Sequence, residues 1–251
     1  VLALKNLNLQ IDRAEIVGVI GQNGSGKTTM VKHLNALLKP TSGTVYIKGE
    51  STKNQKVQGL AKTVGYVYQN PNHQLFARTV QDELEFGPRN LGLDEDEVAA
   101  RGDEAIDFFG LDDLRELHPS RIGFPLRKLV GMASVYTMQP DVFILDEPTT
   151  GQDNITTQRV YKLIQRLRER GHTVICVSHD MILLAEVVDR MLVMRDAELI
   201  ADDTPRAVFA MEDIMRSTHL LPPQITQLSL RLAKDKQSAE NVVLSVDEMV
   251  Q

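Results

Sequence analysis

The chain holds 251 residues with 34 acidic and 28 basic side chains, a net charge of −6 and a pI near 5.6. That balance argues against a nucleic-acid footprint over the surface and leaves room only for a local basic patch. Hydrophobic residues at 42% and charged residues at 25% suit one large α/β domain, or one domain with a small appendage, and the single cysteine, Cys176, excludes an internal disulfide and fits a reducing compartment.

The chain opens on Val1 inside "VLALKNLNLQI", so further residues are expected upstream, trimmed or part of a longer polypeptide. Leu7, Leu9 and Ile11 alternate as in a half-buried strand. "EIVGVIG" is a short apolar run bounded by charge and glycine and reads as a buried strand. "SGKTTMVKHLNALLKP" reads as a helix that Pro40 stops, and "SGTVYIKGE" as another strand. "TVGYVYQ", "VFILDE", "TVICVSH" and "RMLVMRD" are further strand-like runs, and Cys176 in the third reads as a buried structural thiol. Helical patterns such as "NITTQRVYKLIQRLRERG" separate several of them, which predicts βαβ units and a mostly parallel sheet. From about Gln69 to Pro140 the signals turn helical, as in "EDEVAARGDEAIDFFG", and predict a helical insertion. The tail after about His219, with "LLPPQITQLSLRL", "AKDKQSAE" and "VVLSVDEMVQ", reads as a small accessory element. No run reaches the ~18 apolar residues of a membrane span, and no signal peptide is visible.

"GQNGSGKTT", Gly21 to Thr29, fits G-x-x-x-x-G-K-[ST] directly after a predicted strand and at the start of a predicted helix. Gly21, Asn23, Gly24, Ser25 and Gly26 would let backbone N–H groups wrap a phosphate chain. Lys27 would reach its outer phosphates, and Thr28, followed by Thr29, would ligate Mg²⁺. "VFILDE" delivers Asp146 and Glu147 at a strand's C-terminal end, the ligand edge of a parallel sheet. Asp146 can hold Mg²⁺ through water and Glu147 can polarise an attacking water, although alone such a pair reads as a solvated helix cap. His179 after "TVICVS" can touch a terminal phosphate, and Gln69 after "GYVY" can touch Mg²⁺ and water. Taken singly, His179 reads as a packed or surface histidine and Gln69 is uninformative. Asp153 in "TTGQD" reads equally as a turn residue or a cross-subunit contact, and His73 as a contact or surface residue, with no second ligand at useful spacing.

The phosphate loop, Gln69, "ILDEPT", "GQD" and "SHD" together resemble the nucleotide-binding domain of an ABC ATPase, in the family's order and over almost the whole chain. "QNPNHQLFARTVQDELEFGPRNLGL", "TPRAVF" and "LLPPQITQLSLRL" resemble the ATPase subunits of energy-coupling factor transporters for cobalt and vitamins. The resemblance implies an α/β P-loop NTPase core with a mostly parallel sheet, an antiparallel β edge and a helical subdomain over about 70–140. The ATPase domain would span 1–218 and a small C-terminal dimerisation element 219–251. It further implies ATP and Mg²⁺ as cofactors, a peripheral place on the cytoplasmic face of the membrane, and no nucleic-acid partner. Expected partners are a second ABC ATPase, a transmembrane coupling subunit and, indirectly, a substrate-binding membrane subunit. Leu75, Phe76 and Val80, with Asp82, Glu83 and Glu85 as acceptors, would face the coupling subunit's helices.

One stretch departs from the family. Its signature motif, usually LSGGQ, donates serine and glycine N–H groups to the partner's nucleotide, and the matching positions here are Ile122, Gly123, Phe124, Pro125 and Leu126. Pro125 has no N–H and Phe124 adds bulk where backbone must approach phosphate, while Pro125 still suits the first turn of a helix. Ser120 or Arg121 would compensate only from a few residues early. The expectation is an asymmetric pair in which an intact partner signature completes this chain's site. The family's adenine-stacking aromatic lies upstream of the first strand, and Tyr46 is placed too late for that role. Two rival functions are a nucleotide-binding subunit that hydrolyses poorly, and a soluble ABC protein of DNA repair or translation, which usually carries coiled-coil or basic insertions.

Overall fold

The structure, a computed structural model, describes residues 2–233 and 242–250. Strand β1 (Ile16–Gly21) leads through a loop into α1 (Lys27–Leu34). A short hairpin, β2 (Tyr46–Ile47) and β3 (Glu50–Ser51), a single turn α2 (Val57–Leu60) and β4 (Val64–Val67) follow. Helices α3 (Val80–Asn90), α4 (Glu95–Phe109) and α5 (Phe124–Tyr136) precede β5 (Val142–Asp146). Then come α6 (Asn154–Glu169), β6 (Thr173–Val177), α7 (Met181–Val187), β7 (Arg190–Arg195) and β8 (Glu198–Asp203). Helices α8 (Pro205–Ala210), α9 (Glu212–Thr218), α10 (Gln224–Leu232) and α11 (Val246–Val250) make the tail.

The chain divides into two compact units, Val1–Lys32 with Ile164–Gln251, and His33–Leu163. In the first unit the strands run in the order β6-β1-β7-β8, with β1 parallel to both neighbours and β8 antiparallel on the edge. Ile16, Val17, Val19 and Ile20 of β1 are fully buried, as are Val174, Cys176 and Met191 to Met194 beside it. Continuous apolar runs of this kind are what a parallel strand needs when both of its faces are covered. The mostly parallel sheet with an antiparallel edge is therefore the architecture found.

In the second unit β4 and β5 pair in parallel, Val64 opposite Val142 through Val67 opposite Leu145. The three helices α3, α4 and α5 form the expected helical insertion. Thr79 caps α3 by accepting from the Asp82 amide, and Asp94 caps α4 by accepting from Glu97. Gly110 at φ 61 closes α4 in the left-handed conformation that favours glycine. Leu84, Ile106, Phe109, Leu129 and Ala133 are fully buried between these helices, each of the larger ones contributing about 1.5–3 kcal/mol. Tyr136, at 5.5 Å from the Phe108 ring and 5.7 Å from that of Phe109, joins them in an aromatic cluster.

Three local expectations give way, and one strand is added. Residues 7–11 keep alternating exposure but form no strand, because Asn6 (φ 45) and Ala14 (φ 61) turn the backbone on either side. Helix α1 ends at Leu34 rather than near Pro40, because Ala36 turns left-handed at φ 58. The strand around Tyr46 is only two residues long. Strand β8, unmarked by any strong apolar run, is present. The charged "AKDKQSAE" stretch lies almost wholly outside the described residues.

Candidate functional site

In the first unit, β1 ends at Gly21 and the loop to α1 folds back on itself. A Cβ at Gly21 would lie 2.2 Å from the Met194 carbonyl oxygen, so only glycine lets the loop pack against β7. The Lys27 ammonium donates to the carbonyls of Gly21 (2.6 Å) and Gln22 (2.9 Å). Gly24, at φ +82, faces open space, and the buried Ser25 hydroxyl oxygen has no hydrogen-bond partner. A left-handed glycine, an orphan hydroxyl, a folded-in ammonium and the amides leading into α1 fit a phosphate chain. Thr28 and Thr29 follow on the first turn of α1.

His179 sits in the same unit, between β6 and α7. Ser178, fully buried, accepts from the Asp180 amide at 3.0 Å, and Asp180 caps α7 through the Leu183 amide. This tight junction leaves the His179 ring exposed. Gln22, Asn23 and His179 line one cavity of about 480 Å³ with Thr218, His219 and Leu220.

In the second unit, β5 delivers Asp146 and Glu147, which are 2% and 6% exposed. The Tyr66 hydroxyl, on β4, donates to Asp146 Oδ2 at 2.6 Å. Burial first, and the Asp146 carboxylate second, push the Tyr66 hydroxyl far above its ordinary value, so it stays a donor. Glu147 adopts φ 52, a left-handed conformation that costs a non-glycine residue about 1 kcal/mol or more. Its carboxylate Oε2 accepts from the Thr150 hydroxyl at 3.0 Å, and its carbonyl accepts from the Lys128 ammonium. Burial lowers the Lys128 ammonium to about 8, against the opposing pull of Glu147 and Asp146. Gln69, exposed, follows β4 by two residues. Asp153 caps α6: Oδ1 accepts from the Thr156 amide (2.8 Å) and hydroxyl (2.7 Å), and the amide bond is the main cause that holds its carboxyl low.

Helix α5 begins at Phe124, with Gly123 as a cap that offers no side-chain bond and Pro125 in the first turn. The fold thus absorbs the departure from a glycine-rich start. The Phe124 ring lies 3.1 Å from where a Cβ of Gly151 would stand. Ser120 is occupied locally, its hydroxyl 2.8 Å from His118 Nδ1.

Among the described residues no group of three or more His, Cys, Asp and Glu is placed to hold a metal.

A family model described as ABC transporter matches residues 4–150. An energy-coupling factor transporter ATP-binding protein, EcfA1, of Caldanaerobacter subterraneus is 37% identical over 99% of this chain and 90% of its own length. The chain belongs to the ABC transporter ATPases, of the energy-coupling factor type. Another protein of that organism, named for an ABC transporter ATP-binding role, is 42% identical over 99% of this chain, which spans 42% of that relative's length. The solved cbiO1 of Clostridium perfringens, described as part of the complex cbiONQ, superposes with a TM-score of 0.75 at 34% identity, covering 90% of this chain and 91% of its own. A dimeric ATP-binding cassette in a post-hydrolysis state with ADP and Pi superposes with a TM-score of 0.73 at 27% identity, over 81% of this chain and 90% of its own.

Within this ABC ATPase the stretch after Gln69 differs from the sequence expectation. Val80, Glu83 and Glu85 are 0%, 3% and 9% exposed, so they do not face outward. Glu83 Oε2 accepts from the Phe76 and Ala77 amides, both at 2.8 Å, and burial raises its carboxyl above the ordinary value against those bonds. Phe76 and Asp82, expected to face outward, are exposed, and so is Phe86, its ring 4.7 Å from that of Phe76 and edge to face. Sequence reasoning also missed Lys128, Tyr66 and Gln74. The Gln74 amide donates to the Gly131 carbonyl (2.7 Å) and accepts from the Tyr68 amide (3.2 Å), linking the segment after Gln69 to α5. The one available signal for Lys128 was a lysine placed directly before the apolar run "LVGMASV".

Proposed function

We propose that this chain hydrolyses ATP as one half of an asymmetric pair that powers a membrane importer for a micronutrient, a vitamin or a transition-metal ion. Gly21, Asn23, Gly24, Ser25, Gly26, Lys27, Thr28 and Thr29 hold the triphosphate. Thr28, Gln69 and Asp146 would hold Mg²⁺, partly through water, and the ion when bound would neutralise phosphate charge. Glu147 accepts the proton of the attacking water, with Gln69 and His179 orienting it. Residues 219–251 form the dimerisation element, supported by Leu221, Leu232 and Val250 at 71%, 66% and 81% exposure. The exposed Phe76–Phe86 pair meets a transmembrane coupling subunit at the cytoplasmic face, and the substrate-binding membrane subunit is reached through it. No helix among the described residues is long and apolar enough to cross a membrane.

The observation that carries the asymmetry is the first turn of α5. Gly123, Phe124 and Pro125 stand where a serine and two glycines would give their amides to a partner's nucleotide, and Pro125 has none to give. The same observation keeps open a nucleotide-binding subunit that hydrolyses poorly. ATP hydrolysis by the chain alone, then mixed with an ABC ATPase bearing an intact signature, separates the readings. The expected result is near silence alone, turnover in the mixture, and its loss with Glu147→Gln. A fast homodimer would refute the asymmetry, and a silent mixture would favour the poorly hydrolysing subunit.

A further inference from the structure

Lys128 is 1% exposed, on the second turn of α5, and its ammonium donates to two backbone carbonyls, those of Glu147 and of Thr150, the latter at 3.1 Å. Those carbonyls bracket the turn in which Glu147 holds φ 52 and in which Thr150 bonds the Glu147 carboxylate. One turn earlier in α5, the Phe124 ring packs against Gly151, the next residue of the same loop. The start of α5 is therefore fastened to residues 147–151 by an ammonium clasp and an aromatic contact. A buried cation is costly and is retained where specific partners need it.

We infer that Lys128 is a positioning residue for Glu147, locking the left-handed turn that aims its carboxylate and tying that turn to the helix that starts at the signature positions. The inference rests on the reading of Glu147 as the general base. Lys128 touches the base's backbone and does not take part in proton transfer. Release of the clasp lets the Glu147–Thr150 turn relax, and a displacement of about 1 Å at a reacting group lowers turnover by about a hundredfold. Because α5 begins at Gly123–Pro125, a ligand bound against those positions would reach Glu147 through the same ammonium.

The test is steady-state ATP hydrolysis by the pair with the intact-signature partner, comparing Lys128→Met, Lys128→Gln and Glu147→Gln, with binding of a fluorescent ATP analogue and thermal melting of each. Lys128→Met should lose at least about tenfold in kcat while KM and analogue affinity stay within about threefold. Lys128→Gln, which keeps N–H donors without charge, should recover part of the loss. Unchanged kcat in Lys128→Met, or parallel changes in kcat, KM and binding, overturns the inference. If Lys128→Met does not fold, Lys128→Gln decides by the same split of kcat from KM. Persistent hydrolysis by Glu147→Gln would instead sink the reading of the base, a distinct result from an active Lys128→Met beside an inactive Glu147→Gln.

Discussion

Replacing Lys128 with methionine should change the pH dependence of stability in a way that only this buried amine can produce. At pH 7 the variant both loses and gains. The carbonyls of Glu147 and Thr150 lose a donor, worth about 1–3 kcal/mol each where water does not replace it. Against that, the ammonium falls from 10.5 in the ordinary case to about 8, chiefly through burial, so its removal relieves about 3 kcal/mol of desolvation. These terms nearly cancel, and a single measurement at pH 7 decides nothing. The slope decides. Between 8 and 10.5 the native protein releases this proton while the unfolded chain keeps it, so the unfolded state binds more protons and stability rises with pH. Linkage gives the wild type a gain of about 2 kcal/mol over Lys128→Met from pH 7 to pH 9.5. The charged groups that face this amine are Asp146 and Glu147, and Tyr66, the donor to Asp146, is held protonated. Urea unfolding of both proteins at pH 7, 8.5 and 9.5 measures it. A difference that stays constant across that range would show that Lys128 is not held in a desolvated state.

Two other perturbations test the packing. Gly21→Ala should abolish folding or cost more than about 3 kcal/mol, since the new Cβ meets the Met194 carbonyl oxygen at 2.2 Å, whereas Gly24→Ala, strained only by φ +82, should cost about 1 kcal/mol; equal losses of melting temperature would contradict the packing of the loop on β7. Glu83→Ala should cost about 2–4 kcal/mol, because the Phe76 and Ala77 amides lose their acceptor. Glu83→Gln should lag less, and its deficit should shrink from pH 5 to pH 7 in urea titrations, because the raised carboxyl gives the wild type stability that is lost as pH climbs through its folded value.

The parts legible in the sequence are those in which the signal is local. Gly21 to Thr29 announces a loop because its three glycines, all at positive φ, recur within nine residues, and the strands around it are short apolar runs that the buried parallel sheet requires. What stayed hidden depends on partners far along the chain. Strand β8 follows β7 through a two-residue turn, Asp196 and Ala197, both at positive φ (51 and 69). Such turns favour asparagine and glycine, so Asp-Ala carried no hairpin signal. Glu83 and Glu85 read as outward acceptors because of their charge, and only the phase of α3 shows them turned inward. Lys128 was hidden for the same reason: residue type reports a charge but not its burial. Asp153 could be read two ways, and its bonds to Thr156 show it capping α6.

The altered stretch at 122–126 shows how the fold and the chemistry of one helix can separate. Proline in a first turn leaves helix geometry intact, because an amide there has no intrahelical partner to lose. That same spare amide is the resource a phosphate would use, so under the proposed reading Pro125 is silent for folding and costly for anion binding. The aromatic beside it finds contact at Gly151, where φ +75 and the missing side chain leave room for a ring. The start of α5 is thereby packed on its own chain's 147–151 loop. Under the proposed pairing, the site that this helix faces is the weaker one. The loop it grips carries the base of the stronger one, so one helix can set both the difference between the two sites and their coupling.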